Sequence, residues 1–134
     1  MPSIRSRALA LSVAAALSVA ASGSALAQKK YDTGATDTEI KIGNTNPYSG
    51  PASAYGLIGK TIDAYFKKVN AEGGINGRKV NFITYDDGYS PPRTVEMARK
   101  LVEQDQVLFL FQTLGTPSNT AILPFGKLSR MYFA

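Results

Sequence analysis

The chain has 134 residues, about one small domain, with 44% hydrophobic positions, 19% charged positions and a formal net charge of +5. It contains no Cys and no His, which excludes thiolate or imidazole metal centres, imidazole bases and a disulfide framework. A charged fraction this ordinary also excludes a disordered tail or a basic nucleic-acid arm.

Residues 1–27 read as a secretory signal peptide. Arg5 and Arg7 give a positive start, Ala8–Ala21 is an apolar run, and Ala25-Leu26-Ala27 is an A-x-A cleavage site before Gln28. A spanning helix needs about 20 apolar residues, so this run is too short for an anchor. Cleavage after Ala27 removes two of the fifteen basic residues and none of the ten acidic ones, leaving +3. That is not the balance of a polyanion binder.

Residues 28–38 are polar and without periodicity, and are expected to form a mobile leader. Glu39–Thr45 alternates as a first strand. Asn46–Gly50 (NPYSG) is turn chemistry. Ser53 is then expected to cap a helix ending at Ala71, before Gly73-Gly74. Its apolar stripe is Leu57, Ile58, Thr61, Ile62, Tyr65, Phe66 and Val69, with Tyr65 and Phe66 in the core. Asn76-Gly77 turns into a second strand, Lys79–Tyr85. Ser90 before Pro91-Pro92 starts a second helix with Val95, Ala98, Leu101 and Val102 buried. Val107–Phe111 (VLFLF) suits a strand covered on both faces. Thr113–Asn119 then leads to a third helix near Ser118.

Alternating strands and helices imply an α/β fold with a parallel, doubly wound sheet in the order 2-1-3 and helices on both faces. Ligands bind such sheets beyond the carboxyl ends of the strands. Three loops meet there: Asn46–Tyr55, Asp86–Ser90 and Thr113–Asn119. Helix N-termini in these loops could hold a small carboxylate without a basic side chain. Gly115 permits close backbone approach, Thr116 and Ser118 offer hydroxyls, and Tyr48, Tyr55 and Tyr89 offer flat walls. Plainer roles stand beside these: Ser53, Ser90 and Ser118 as helix caps, and Asp86-Asp87 as a turn pair.

Two cofactor templates fail. The loop after the first strand, NTNPYSGPASAYG, lacks the dinucleotide fingerprint. Gly56–Thr61 (GLIGKT) echoes only the end of a phosphate loop and lies within the first helix. Nothing calls for a cofactor or a metal, and without Cys or His no catalytic constellation is specified. A non-enzyme is expected.

The residues PYSGP-x3-YG, N-x-x-GGINGR-K-V, YDDGYSPPRTVEMARKLVEQD and LGTPSN, spread over Ile40 to about Ile122, resemble the leucine/isoleucine/valine-binding protein family. These are periplasmic solute-binding proteins of ATP-binding-cassette importers. The resemblance implies a partial N-terminal lobe, residues 39–122, of a two-lobe periplasmic binding protein. It implies a branched-chain amino acid or related small carboxylate or amide as ligand, and membrane permease subunits as partners. Tyr55 matches the position that packs on the ligand side chain. Leu114 and Gly115 match the turn after the third strand, Thr116 a hydroxyl that binds the ligand's carboxylate or ammonium group, and Asn119 the same helix start. A Gly-Thr-Pro-Ser turn, where leucine binders carry more serine, departs from that pattern.

Residues 123–134 depart further. Pro124 and Gly126 are expected to break the third helix after one turn, and the tail reads as aberrant, as if out of frame or prematurely stopped. Relatives continue through a hinge and a second lobe, so the chain is expected to be a fragment unable to bind ligand alone. A ligand-sensing receptor module of the same fold and a small exported enzyme are the alternatives.

Overall fold

The computed structural model describes residues 30–126. The signal segment 1–27 and the tail from residue 127 onward lie outside the described residues. Three strands, β1 (Glu39–Asn46), β2 (Lys79–Asp86) and β3 (Phe109–Leu110), form an all-parallel sheet in the order β2-β1-β3. The helices are α1 (Gly56–Ala71), α2 (Pro91–Arg99) and α3 (Thr116–Gly126).

Eight residue pairs, Glu39↔Lys79 through Asn46↔Asp86, join β1 to β2 in register. The Val107–Phe111 run supplies only a two-residue ladder, Ile42↔Phe109 and Gly43↔Leu110. The Leu108 and Phe111 amides extend the pairing to the carbonyls of Lys41 and Gly43, both at 2.8 Å. Left-handed Gln112 (φ 53°) then turns the chain away.

Alternate residues of each strand face opposite layers. On one face Phe66 of α1 packs on Phe82 and Phe111, with ring centroids 5.7 and 6.0 Å apart. On the other, Ala98, Leu101, Val107, Leu110 and Ile122 form a buried cluster, with Ile83, Tyr85, Val95 and Val102 against it. Helices therefore cover both faces, as the apolar third strand implies. Asn70 of α1 also pairs with both backbone groups of Val80, at 2.7 Å each.

Several expectations need correction. Ser53 does not cap α1: residues Ser53–Tyr55 form a 3-10 turn, Tyr55 is the N-cap residue, and no side chain caps the helix. The inward face of α1 carries Gly56 and Gly59 as its buried residues, while Leu57 (67% exposed) and Tyr65 (61%) point outward. The cause is Tyr48. A Cβ on Gly59 would lie 2.1 Å from the Tyr48 hydroxyl, so only a glycine face can dock over that ring.

Ser90 precedes α2 with an extended backbone, and Pro91 and Pro92 open the helix, but its hydroxyl makes no cap bond. After α2 the chain continues as a wider π turn, Lys100–Gln104, in which the Asp105 amide reaches the Lys100 carbonyl at 3.0 Å. The third helix starts at Thr116 rather than Ser118 and runs through Pro124 to Gly126. A proline in a helix costs the amide bond to the residue four before it; here that residue is Thr120, which is exposed, so water can take the freed carbonyl.

Of residues 28–38, expected as a mobile leader, Tyr31 to Thr38 are fastened to the sheet. The Lys41 amide donates to the Gly34 carbonyl at 2.7 Å, and Ala35 bridges Ile40. The Arg78 guanidinium lies 5.1 Å from the centre of the Tyr31 ring.

Candidate functional site

The carboxyl ends of the strands carry three loops, and the first two are tied by one carboxylate. Asp86, the last residue of β2, accepts the Tyr48 amide (2.9 Å), the Ser49 amide (3.1 Å), the Ser49 hydroxyl (2.6 Å) and the Gly88 amide (3.0 Å). Arg93 adds an ion pair at 3.4 Å. Burial pushes this carboxyl up, but the bonds from the Ser49 hydroxyl and from the Gly88, Ser49 and Tyr48 amides outweigh it. The net effect holds it below the ordinary carboxylate value.

Its neighbour Asp87 is fully buried and serves the opposite face. It accepts the Tyr89 amide at 2.9 Å, and the Thr94 hydroxyl lies 2.9 Å from its other oxygen. Thr94 in turn lies 2.9 Å from the Ser118 hydroxyl. The three side chains form one chain, Ser118 to Thr94 to Asp87, with the Ser90 carbonyl also 3.0 Å from the Thr94 hydroxyl. It joins α3, α2 and the β2 loop below the surface. Ser118 is neither a cap nor an open hydroxyl; it is buried.

A second polar chain crosses the sheet on the α1 side. Tyr48 is 2.7 Å from the Thr84 hydroxyl, which donates to Asn44 at 2.8 Å. Asn46 donates to the same Asn44 oxygen at 2.5 Å, and the Asn44 amide group reaches the carbonyls of Phe111 and Gln112, both at 2.8 Å. Thr84 has spent its proton on Asn44, so Tyr48 is the donor to Thr84. Burial pushes the Tyr48 phenol up, and the nearby Asp63 and Asp86 charges act in the same sense. Tyr48 is thus committed to the scaffold and is not an open wall. Among the described residues, two buried oxygens at the end of β1, on Thr45 and Asn46, have no hydrogen-bond partner.

The third loop is where most of the expected site residues fall. The Leu114 amide bonds the Thr45 carbonyl at 3.2 Å, anchoring the turn to β1. Gly115 follows with φ +104°, and exposed Thr116 opens α3. The first turn of a helix leaves amides unpaired and carries partial positive charge; Pro117 contributes no amide there. Asn119 is occupied internally. Its side chain accepts the Thr113 hydroxyl at 2.7 Å and donates to the Thr113 carbonyl at 3.0 Å, while its amide bonds the Gly115 carbonyl at 2.8 Å. It shapes the turn. Tyr55 stands apart on the first loop, where it ends the 3-10 turn as a 58% exposed residue.

The structure thus brings Leu114, Gly115, Thr116 and Asn119 onto one turn and leaves Tyr55 on the loop that enters α1. Sequence reasoning offered Tyr89 as a flat wall of the site but missed the clamp at Asp86 and the contact of the Tyr89 ring edge with Gly115. The turn preference of Asp86-Asp87 was the available signal for the first. Nothing in the sequence marked the second. The described residues contain no group of three or more Asp or Glu placed to hold a metal, and no helix long and apolar enough to cross a membrane.

Residues 39–131 match the sequence profile described as periplasmic binding protein. The chain is 36% identical over 80 residues to the Leu/Ile/Val-binding protein homolog 1 of Brucella abortus, which covers 59% of this chain and 22% of that one. Among solved structures, a possible leucine/isoleucine/valine-binding protein from Rhodopirellula baltica superimposes with a TM-score of 0.66 at 28% identity, over 72% of this chain and 26% of that one. The fatty acid ABC transporter substrate-binding protein from Thermomonospora curvata gives 0.68 at 27% identity, over 78% and 26%. The chain therefore spans about a fifth of the length of the curated relatives it matches.

Proposed function

The chain belongs to the periplasmic binding protein family, and from that premise we propose that it supplies one wall of a solute-binding cleft. The solute is a small molecule with a carboxylate and an apolar body. It would be carried in the periplasm after removal of residues 1–27 and passed to the permease of an ATP-binding-cassette importer. The role is binding, not catalysis.

The observation that carries this reading is the β3–α3 turn. Gly115 and Thr116 present a helix N-terminus at the carboxyl end of the central strands, where a carboxylate gains from the helix dipole and from backbone donors. Exposed Tyr55 offers an apolar face for the rest of the solute. The names of two relatives fit this chemistry, since leucine-type amino acids and fatty acids share a carboxylate on an apolar body. Leu114 and Asn119 hold the turn's shape in this reading, and neither needs to touch the solute. A receptor module of the same fold would use the same wall.

A single wall leaves the solute half in water, and binding proteins of this class gain affinity by closing two lobes on it. Residues 28–134 alone are expected to show no saturable micromolar isotherm with isoleucine, octanoate or benzoate in calorimetry. In an NMR titration carried to millimolar solute, the amides of Gly115 and Thr116 and the resonances of Tyr55 are expected to move. Movement elsewhere only, or none, overturns the reading.

A further inference from the structure

Tyr89 and Gly115 sit on different loops, yet each occupies the space the other's residue type would need. A Cβ on Gly115 would lie 2.7 Å from Cε2 of Tyr89, 3.3 Å from its Cζ and 3.4 Å from its Cδ2. The ring thus fills the volume of the missing side chain. Both residues also hold left-handed backbone, Tyr89 at φ 61° and Gly115 at φ +104°. That conformation is ordinary for glycine and disfavoured for tyrosine. Something must hold Tyr89 there. Its amide is bonded to Asp87 at 2.9 Å, and the Ser90 amide to the Asp87 carbonyl at 3.0 Å. The buried Asp87–Thr94–Ser118 chain fastens this loop to α3 from beneath. The ring fastens it from above.

We propose that Tyr89 is a positioning residue of the solute site: its ring, seated on Gly115, latches the β2–α2 loop onto the β3–α3 turn and fixes the first amides of α3. Two independent ties, one buried and polar and one aromatic and 39% exposed, then hold the helix N-terminus between them. The latch rests on the solute-site reading for its purpose but not for its existence. It also explains a constraint that hydrogen bonding does not, because a side chain at 115 and a ring at 89 exclude each other.

The test uses the full chain with isotope-labelled glycine. A ring held against Gly115 moves the Gly115 α-proton resonances away from their unfolded positions. Tyr89→Phe is expected to keep both that shift and the slow exchange of the Asn119 amide, which bonds the Gly115 carbonyl. Tyr89→Ala and Tyr89→Gly are both expected to lose the shift and to speed Asn119 exchange about tenfold, the scale of one lost aromatic contact. Comparing Tyr89→Ala with Tyr89→Gly separates the ring from the strain, since both remove the ring but only glycine relieves the left-handed backbone. Retained protection in Tyr89→Gly, or an unshifted Gly115 in the unaltered chain, overturns the latch. Loss of protection across the whole sheet also counts against it, because the ring would then be general core. Titration with isoleucine on the same sample reports separately. If no loop amide moves, the solute reading fails while the ring shift still decides the latch.

Discussion

Asp86 gathers the Tyr48, Ser49 and Gly88 amides and the Ser49 hydroxyl onto one carboxylate, so the geometry of two loops depends on its charge. Its carboxyl is held below the ordinary value. A group with a depressed folded pKa adds stability above its unfolded pKa, about 4 for Asp, and that stability is lost as pH falls through the folded value. Asp86→Asn is therefore expected to cost about 2 kcal/mol near pH 6, the range for hydrogen bonds to a charged group. The gap to the unaltered chain should close in urea melts taken from about pH 5 downward. An equal gap at every pH would show that the charge is irrelevant. Gly59 makes a second residue-scale case. Alanine there gains about 1 kcal/mol of helix propensity but drives a methyl to 2.1 Å from a hydroxyl that Thr84 pins, and overpacking costs about 1–3 kcal/mol. Gly59→Ala is expected to lower the urea midpoint, and less so in a Tyr48→Phe background, where the nearest atom is gone.

At the scale of elements, the strands and the order 2-1-3 were legible because hydrophobic alternation and the VLFLF run report burial directly. The rotation of α1 was not. Leu57, Ile58 and Tyr65 are apolar and correctly spaced, so periodicity alone includes them in the buried stripe. The true contact face is carried by Gly56 and Gly59, which have no hydropathic signal and are selected by the Tyr48 ring beneath them. Topology brought the three loops to the carboxyl end of the sheet for the same reason it gave the strand order. What it could not give was the division of labour among polar residues there, because Asn44, Thr84 and Tyr48, or Ser118, Thr94 and Asp87, meet only after folding. The second of these chains is the joint between α2 and α3. Thr94→Val removes its middle member and leaves Asp87 and Ser118 each short of a partner. The expected cost is about 1–3 kcal/mol. Ser118→Ala, which spares the Thr94–Asp87 bond, is expected to cost less. Chemical denaturation of the two variants side by side checks the order, and a reversed order would mean that Ser118 holds the joint without Thr94.

For the molecule as a whole, the two covering layers share one central strand. β1 presents Ile42 and Asn44 to the α1 layer and Gly43 and Thr45 to the α2–α3 layer, and it is the strand to which both β2 and β3 are paired. Neither layer can be lost while the other keeps its surface, because each covers the strand the other needs. The described residues should therefore unfold as one cooperative unit. Leu101 and Phe66 give the layers separate handles. Leu101 is fully buried in the cluster under α2 and α3, and Leu101→Ala is expected to cost about 2–5 kcal/mol. That is a large share of the roughly 5–15 kcal/mol of an ordinary small domain. Phe66 is half-buried on the opposite face, against Phe82 and Phe111, so Phe66→Ala is expected to cost less. Tyrosine near-ultraviolet dichroism and far-ultraviolet dichroism should move together in both variants, each with a single coincident transition at a lower midpoint. If Leu101→Ala instead leaves α1 and the β1–β2 pair folded, with protected amides at Val80 and Ile42, the layers are independent, and β1 alone does not couple them.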